Sequence, residues 1–394
     1  MHNRWGILAV LFVVRATMAF QFQSVAAVAP LLGSEFGASL ADIGVLIGLY
    51  FAPGVALALP GGAIGQKFGD RKVALGALLL MLIGSLAMAT APSWSLQITG
   101  RLVAGAGGVV LSVQLAKMLT DWFAGREIST AMAILVNSWP AGIALSLLTL
   151  PFIGTRWGLS AVYLAVAAFI ICGIALIALL YRSPPEAAAV STSTSGLDRR
   201  TVLAVIVAGL IWGLFNIGFA VVFSFGPSML VERGWSIAAA GSAISIVLWV
   251  AVFSVPFGGY LADRTGRPQT ILVTAALVSA GLMILLPRTD AVILTVAALG
   301  LISGQPAGPI MSLPAKVLQP ATRAIGMGLF FTMFYGAMML GPIVAGALSK
   351  WSGNTAAAFD FGAAAILLCT MLLWVFNRIV AVRQPGRVLI NRGS

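Results

Sequence analysis

Histidine is nearly missing from this chain, which has only His2, and cysteine is limited to Cys172 and Cys369. Two cysteines within apolar stretches, with no histidine beside them, make neither a disulfide framework nor a metal site, so no metal or cofactor is expected and their role is packing. Charge is scarce as well: 9% of the residues are charged, with 11 acidic side chains against 23 basic ones. There is no GxxxxGK[ST] phosphate loop, which removes ATP as a direct driver. No nucleophile and base pair or metal cluster stands out either, which argues against an enzyme.

What the chain has in abundance is apolar length. Of its 394 residues 60% are hydrophobic, grouped in stretches long enough for a hydrocarbon layer about 30 Å thick. The expected spans are 5–32, 42–64, 73–91, 95–119, 128–153 and 157–181, then 201–230, 237–262, 269–287, 291–318, 324–348 and 355–380. The first carries a single arginine and then a run too long for a signal-peptide core, so it is expected to remain as span 1. The fold class is therefore an all-α membrane protein of twelve transmembrane helices.

Shifted by 197 residues the chain superposes on itself, with Pro30 on Pro227, Glu35 on Glu232, Gly37 on Gly234, Ser39 on Ser236, Gly62 on Gly259, Gly69 on Gly266 and Cys172 on Cys369. The division expected from this is a six-helix bundle at 1–181, a linker at 182–200, a second bundle at 201–380 and a tail at 381–394. A duplicated, mostly apolar chain reads as a transporter whose site lies between the copies. The net charge of +12 resolves into topology. With twelve spans, most of the lysines and arginines fall on the side of the termini, and only Arg156, Arg233, Arg288 and Lys350 fall on the other. By the positive-inside rule the termini are cytoplasmic, so the basic charge reports orientation and calls for no nucleic-acid partner. The expected partners are a lipid bilayer and a small-molecule substrate, and the expected state is a monomer in a bacterial inner membrane.

Two loops carry the repeat most plainly. After span 8 the chain reads Gly258-Gly259-Tyr-Leu-Ala-Asp263-Arg264-Thr-Gly266-Arg267, and after span 2 Gly62-Ala-Ile-Gly-Gln66-Lys67-Phe-Gly69-Asp70-Arg71-Lys72. The pattern GxxxDRxGR between the second and third spans of each half resembles the signature loop of the major facilitator superfamily, and the likeness covers the whole chain. The resemblance implies two pseudo-symmetric six-helix bundles and a secondary transporter working by alternating access. It also implies a gating role for these residues, with Asp263 reaching the start of span 5 near Glu127. Gln66 stands where the family has aspartate, so the latch should be asymmetric, with Asp70 a partial substitute.

Arg15 lies about ten residues into span 1, which at 1.5 Å per residue is roughly 15 Å deep and near mid-membrane. A cation there is costly, about 2.5–3.5 kcal/mol on insertion scales, and such residues usually face a cavity and mark a substrate path. The alternative is an arginine satisfied by backbone carbonyls. No Asp or Glu falls mid-span, so an incoming anion would supply the missing charge, and the expected substrate is a small anion. Arg101, followed by Gly105 and Gly107 in span 4, resembles a recurrent superfamily motif linked to proton coupling and could add a second contact. On the face of Arg15 lie Phe22 and Gln23, and the repeat sets Trp212, Asn216 and Phe219 on the matching face of span 7. Tyr50, Asn137, Trp249, Gln305 and Tyr335 complete the candidate substrate-binding set. The superfamily branches resembled are the organic-anion and cyanate types, which carry an arginine in the first helix; exchange, facilitated movement and proton coupling all stay open. The rivals are a polyspecific drug efflux transporter, favoured by aromatics but lacking a membrane carboxylate for cationic drugs, and a non-transporting membrane receptor or scaffold.

Overall fold

The computed structural model describes residues 4–58, 68–123, 128–182, 197–319 and 323–381. The expected linker falls largely outside these residues, as does the tail but for Ala381. Eleven stretches are long and apolar enough to cross a membrane, and one of them, Ile134–Leu180, is divided at Gly158, which makes twelve. The result is an all-helical membrane protein of two pseudo-symmetric six-helix bundles.

Span 1 runs through Arg4–Ala27 and continues as Ala29–Phe36, with an offset at Val28 where Pro30 cannot donate a helical hydrogen bond. Span 2 is Leu40–Gly48 followed by Ala52–Leu57, span 3 is Asp70–Ala89 and span 4 is Trp94–Phe123. Spans 5 and 6 share Ile128–Leu180, and the second bundle opens with spans 7 and 8 at Arg199–Glu232 and Ile237–Thr265. Span 9 is Pro268–Leu285, span 10 starts as Val292–Ser303, span 11 is Arg323–Ser352 and span 12 is Ala356–Ala381.

The repeat is visible in backbone detail. Ser39 and Ser236 each cap the span that follows, accepting hydrogen bonds from the backbone N–H of Asp42 and Ala239. Four of the positive-φ glycines fall in pairs at the 197-residue shift, Gly37 with Gly234 and Gly69 with Gly266, and Gly158 and Gly353 mark the turns after spans 5 and 11. These sit at turns where a Cβ would be strained.

Two spans expected to be continuous are broken. Span 2 is interrupted at 49–51 just before Pro53, and span 10 breaks at Gly304-Gln305-Pro306, continuing as Ala307–Met311 and a 3₁₀ turn at Pro314–Lys316. Pro306, Pro309 and Pro314 each remove a donor and clash with the preceding turn, so a straight helix cannot persist there.

The two bundles meet along two helix pairs. Spans 2 and 11 approach until a Cβ on Gly44 would lie 2.2 Å from the Pro342 carbonyl oxygen, one on Gly48 2.2 Å from that of Met339, and one on Gly346 2.4 Å from that of Leu40. Spans 5 and 8 close likewise at Gly241, whose Cβ would lie 2.5 Å from the Leu147 oxygen. Small residues let backbones touch in this way. Two polar ties add to the seam: Gln23 Nε2 donates to the Phe223 carbonyl at 2.7 Å, and Asn137 Nδ2 to that of Val252 at 3.2 Å. Among the described residues these contacts lie between mid-bundle and the face opposite the termini.

Candidate functional site: an unpaired guanidinium at the seam

Both deep arginines come from the first bundle. Arg101 is fully buried: its Nε donates to the Leu46 carbonyl at 2.9 Å, and its two terminal nitrogens donate to the carbonyls of Gln21 at 3.0 Å and Phe22 at 2.6 Å. The break in span 2 explains one partner, because the Tyr50 N–H turns to Ile47 and leaves the Leu46 carbonyl for the guanidinium. The charge lies 4.6 Å from the Tyr50 ring centroid and 5.6 Å from that of Phe22, the geometry of a cation–π contact. Gly105 and Gly108 make room, since a Cβ on either would lie 2.3 Å or 2.5 Å from Tyr50. Arg101 is thus engaged by helix packing, with each of its three nitrogens bonded to a backbone carbonyl of its own bundle.

Arg15 is only partly buried, and its Nε is a buried donor without a hydrogen-bond partner. Its electrostatic neighbour is Tyr335 of the other bundle. Tyr335 is 6% exposed, lies over the bare backbone of Gly54 and pairs through its hydroxyl with Ser112 of span 4. Described acids are confined to span ends and loops: Asp42 and Asp70 in first turns, Asp121 in a last turn, Asp198 as a cap, Glu35 and Glu232 at ends, Asp290 in a loop and Asp360 just past the first turn of span 12. Among the described residues Arg15 has no carboxylate to neutralise it.

Aromatic rings from both bundles form a chain across the seam that reaches Tyr335. Phe22 stacks on Trp139 at 5.4 Å and packs against Phe51 at 4.9 Å; Phe51 meets Phe334 and Tyr335, each at 6.1 Å, and Phe334 meets Trp212 at 6.2 Å. Trp212 in turn stacks on Phe215 at 5.6 Å. Aromatic rings of both bundles therefore interleave across the seam.

The remaining candidates divide. Trp212, Asn216, Phe219 and Asn137 are partly buried near the seam, with the Asn216 Nδ2 donating to its own helix at the Trp212 carbonyl, 2.7 Å, and Phe219 edge-on to Phe223 at 5.5 Å. Phe22, 1% exposed, is wedged between Arg101 and other rings. Tyr50 is likewise core, its hydroxyl donating at 3.3 Å toward the Met18 carbonyl and Gln21 Oε1. Gln23 ties the bundles. Trp249 is 43% exposed and shares a face with Phe253, 76% exposed, opposite the face that packs Ile244 and Leu248. Gln305 donates through its side chain to the Leu301 carbonyl at 3.1 Å, and its backbone fills the space over Gly258. Sequence reasoning missed Ser112, although Arg101, Gly105, Gly108 and Ser112 follow the helical stripe i, i+4, i+7, i+11. It also missed Phe51 and Phe334, each adjacent to a tyrosine it did single out.

Among the loop residues, Gly62, Gln66, Lys67 and Glu127 lie outside the described residues, as does the Asp263 side chain. Asp70 accepts from Lys117 Nζ at 2.6 Å, and Asp121 accepts from the same amine at 2.9 Å. Arg71 donates to the Ala178 carbonyl and Arg264 to the Tyr260 hydroxyl at 2.5 Å. Arg267 uses its backbone N–H on Thr265 Oγ1, Gly259 has open space beside it, and Gly69 and Gly266 supply left-handed turns. Each of these described bonds stays within one bundle, so the expected latch across the halves is not made by Asp70, Arg71 or Arg264 in this conformation.

A duplicated twelve-span helical bundle with a charged, aromatic seam between its halves is the architecture of a membrane transporter. The family model described as the Major Facilitator Superfamily matches residues 11–229 and 201–389, and the chain belongs to that superfamily. The 3-(3-hydroxy-phenyl)propionate transporter of Escherichia coli (strain K12) is 24% identical over 355 residues, 86% of each chain. The inner membrane transport protein YajR of the same organism is 30% identical over 141 residues, 36% of this chain but only 30% of that relative's length. Among solved structures, a bacterial homologue of the human drug peptide transporters PepT1 and PepT2 superposes with a TM-score of 0.74 at 12% identity, covering 98% of this chain and all of the other, a likeness of fold alone.

Proposed function

We propose that the protein carries a small organic monoanion with an aromatic or otherwise apolar body, by alternating access of two bundles, 1–181 and 201–380, that rock about the Arg15–Tyr335 seam. The observation that carries this reading is the buried, unpartnered Nε of Arg15, with Tyr335 of the other bundle as its electrostatic neighbour and no acid beside it among the described residues. A carboxylate fits a guanidinium fork and a tyrosine hydroxyl with charge-assisted hydrogen bonds, and the rings along the seam suit the apolar remainder. The name of the hydroxyphenylpropionate relative agrees in chemical class. On this reading the termini are cytoplasmic by the positive-inside rule, the described contacts between the bundles lie toward the opposite face, and the chain works as a monomer in a bacterial inner membrane.

The test is a thermal shift of the detergent-purified protein with 3-(3-hydroxyphenyl)propionate, acetate and a cationic drug, since a ligand of the folded state stabilises by mass action. The aromatic carboxylate should raise Tm in the native protein and not in Arg15→Gln. A shift with the cationic drug that survives Arg15→Gln would favour polyspecific efflux and defeat the anion assignment.

A further inference from the structure

We infer that the protein is an obligate anion exchanger: its empty form does not cross between the two open states, and a bound anion is needed in both directions. This rests on the anion reading of Arg15. In the present state Arg15 as a residue keeps part of its surface exposed, although its Nε is buried and unpartnered. To alternate, the protein must pass through a form in which both faces are closed around the seam. There Arg15 loses that exposure, and a buried charge without a partner is strongly disfavoured.

Arg101 defines what neutralisation by the protein itself requires: three backbone carbonyls and two aromatic faces. Arg15 has no equivalent. Its neighbours are the hydroxyl of Tyr335 and, beyond it, Ser112, both neutral, and the described acids sit at span ends and in loops. Closing an empty site therefore strands a cation, whereas closing a loaded site buries a neutral pair bridged between the bundles. The bound anion also contributes to the closure, because one bundle supplies the guanidinium and the other the tyrosine.

The experiment uses the full chain in proteoliposomes with the membrane potential clamped to zero and labelled benzenesulfonate as probe, chosen because it stays ionised and crosses lipid slowly. Vesicles are loaded with unlabelled benzenesulfonate or with gluconate. Entry of label should be at least tenfold faster into the benzenesulfonate-loaded vesicles. Equal rates would overturn the exchange inference and leave the anion assignment standing; no entry in either arm, with no probe-dependent thermal shift, would overturn both. As a second readout, hydrogen exchange over residues 40–48 reports opening of the seal. In gluconate that segment should stay protected in the native protein and exchange at least tenfold faster once benzenesulfonate is added. In Ser112→Asp, which supplies a fixed negative charge beside Tyr335, it should exchange fast without the probe. Protection in Ser112→Asp equal to the native protein's would overturn the charge argument.

Discussion

Arg101 and Arg15 lie on neighbouring spans of the same bundle, carry the same charge and meet opposite surroundings. Arg101 faces a kinked helix whose interruption frees a carbonyl, next to two further carbonyls and two rings, so all three of its nitrogens are engaged inside one bundle. Arg15 has as its electrostatic neighbour in the other bundle the hydroxyl of Tyr335, which interacts with Ser112. The first arrangement is complete without a ligand and stabilises the bundle. The second is incomplete, which is a cost to stability and, on the proposed reading, an affinity for a negative guest. Depth in the membrane does not distinguish structural from functional arginines; the inventory of partners does.

The comparison can be broken most forcefully at Arg101. Arg101→Ala leaves three carbonyls and a cavity behind, a loss on the order of 4 kcal/mol when unsatisfied groups and lost packing are combined. The expected readout is a large drop in Tm and aggregation on size exclusion, with or without ligand. Next comes Tyr335→Phe, which removes one hydrogen bond to the charged ligand and should weaken anion affinity by about 1.5 kcal/mol, roughly tenfold, in a binding titration while Tm of the empty protein changes little. Arg15→Gln should leave the Tm of the empty protein unchanged or raised, a change within about 1 kcal/mol, because no native bond is broken and a desolvated charge is removed. A fall in Tm as large as that of Arg101→Ala would erase the distinction drawn above. The smallest effect is expected at the exposed rim pair Arg288–Asp360, 2.7 Å apart with both side chains nearly half exposed, where Arg288→Gln should cost less than about 1 kcal/mol.

Much of the fold was legible because apolar length and a repeat at 197 residues are one-dimensional signals. The paired serine caps and left-handed glycines of the two copies are local geometry, set by residue type within a turn. The breaks in spans 2 and 10 were missed because proline is tolerated in membrane helices when neighbours satisfy the freed groups. Arg101 does this for span 2. At the site, the depth of Arg15 and the lack of mid-span acids could be read directly. The role of Arg101 could not, since its partners are carbonyls, which every residue has. The exposure of Trp249 could not be read for a related reason: a tryptophan near mid-span reads alike on either face of its helix, and only the packing of Gly241 and Ile244 sets which face is covered.

By itself, then, the amino-acid sequence determined the membrane environment, the twelve spans, their duplication, and the presence of a deep cation without an acid to match, because these depend on composition and spacing along the chain. The tertiary structure alone decided which arginine is satisfied, that Tyr335 and Ser112 join Arg15 at the seam, and where the described contacts between the bundles fall. Those outcomes depend on distances between segments far apart in sequence, where a gap of one hydrogen bond separates a packing residue from a binding one.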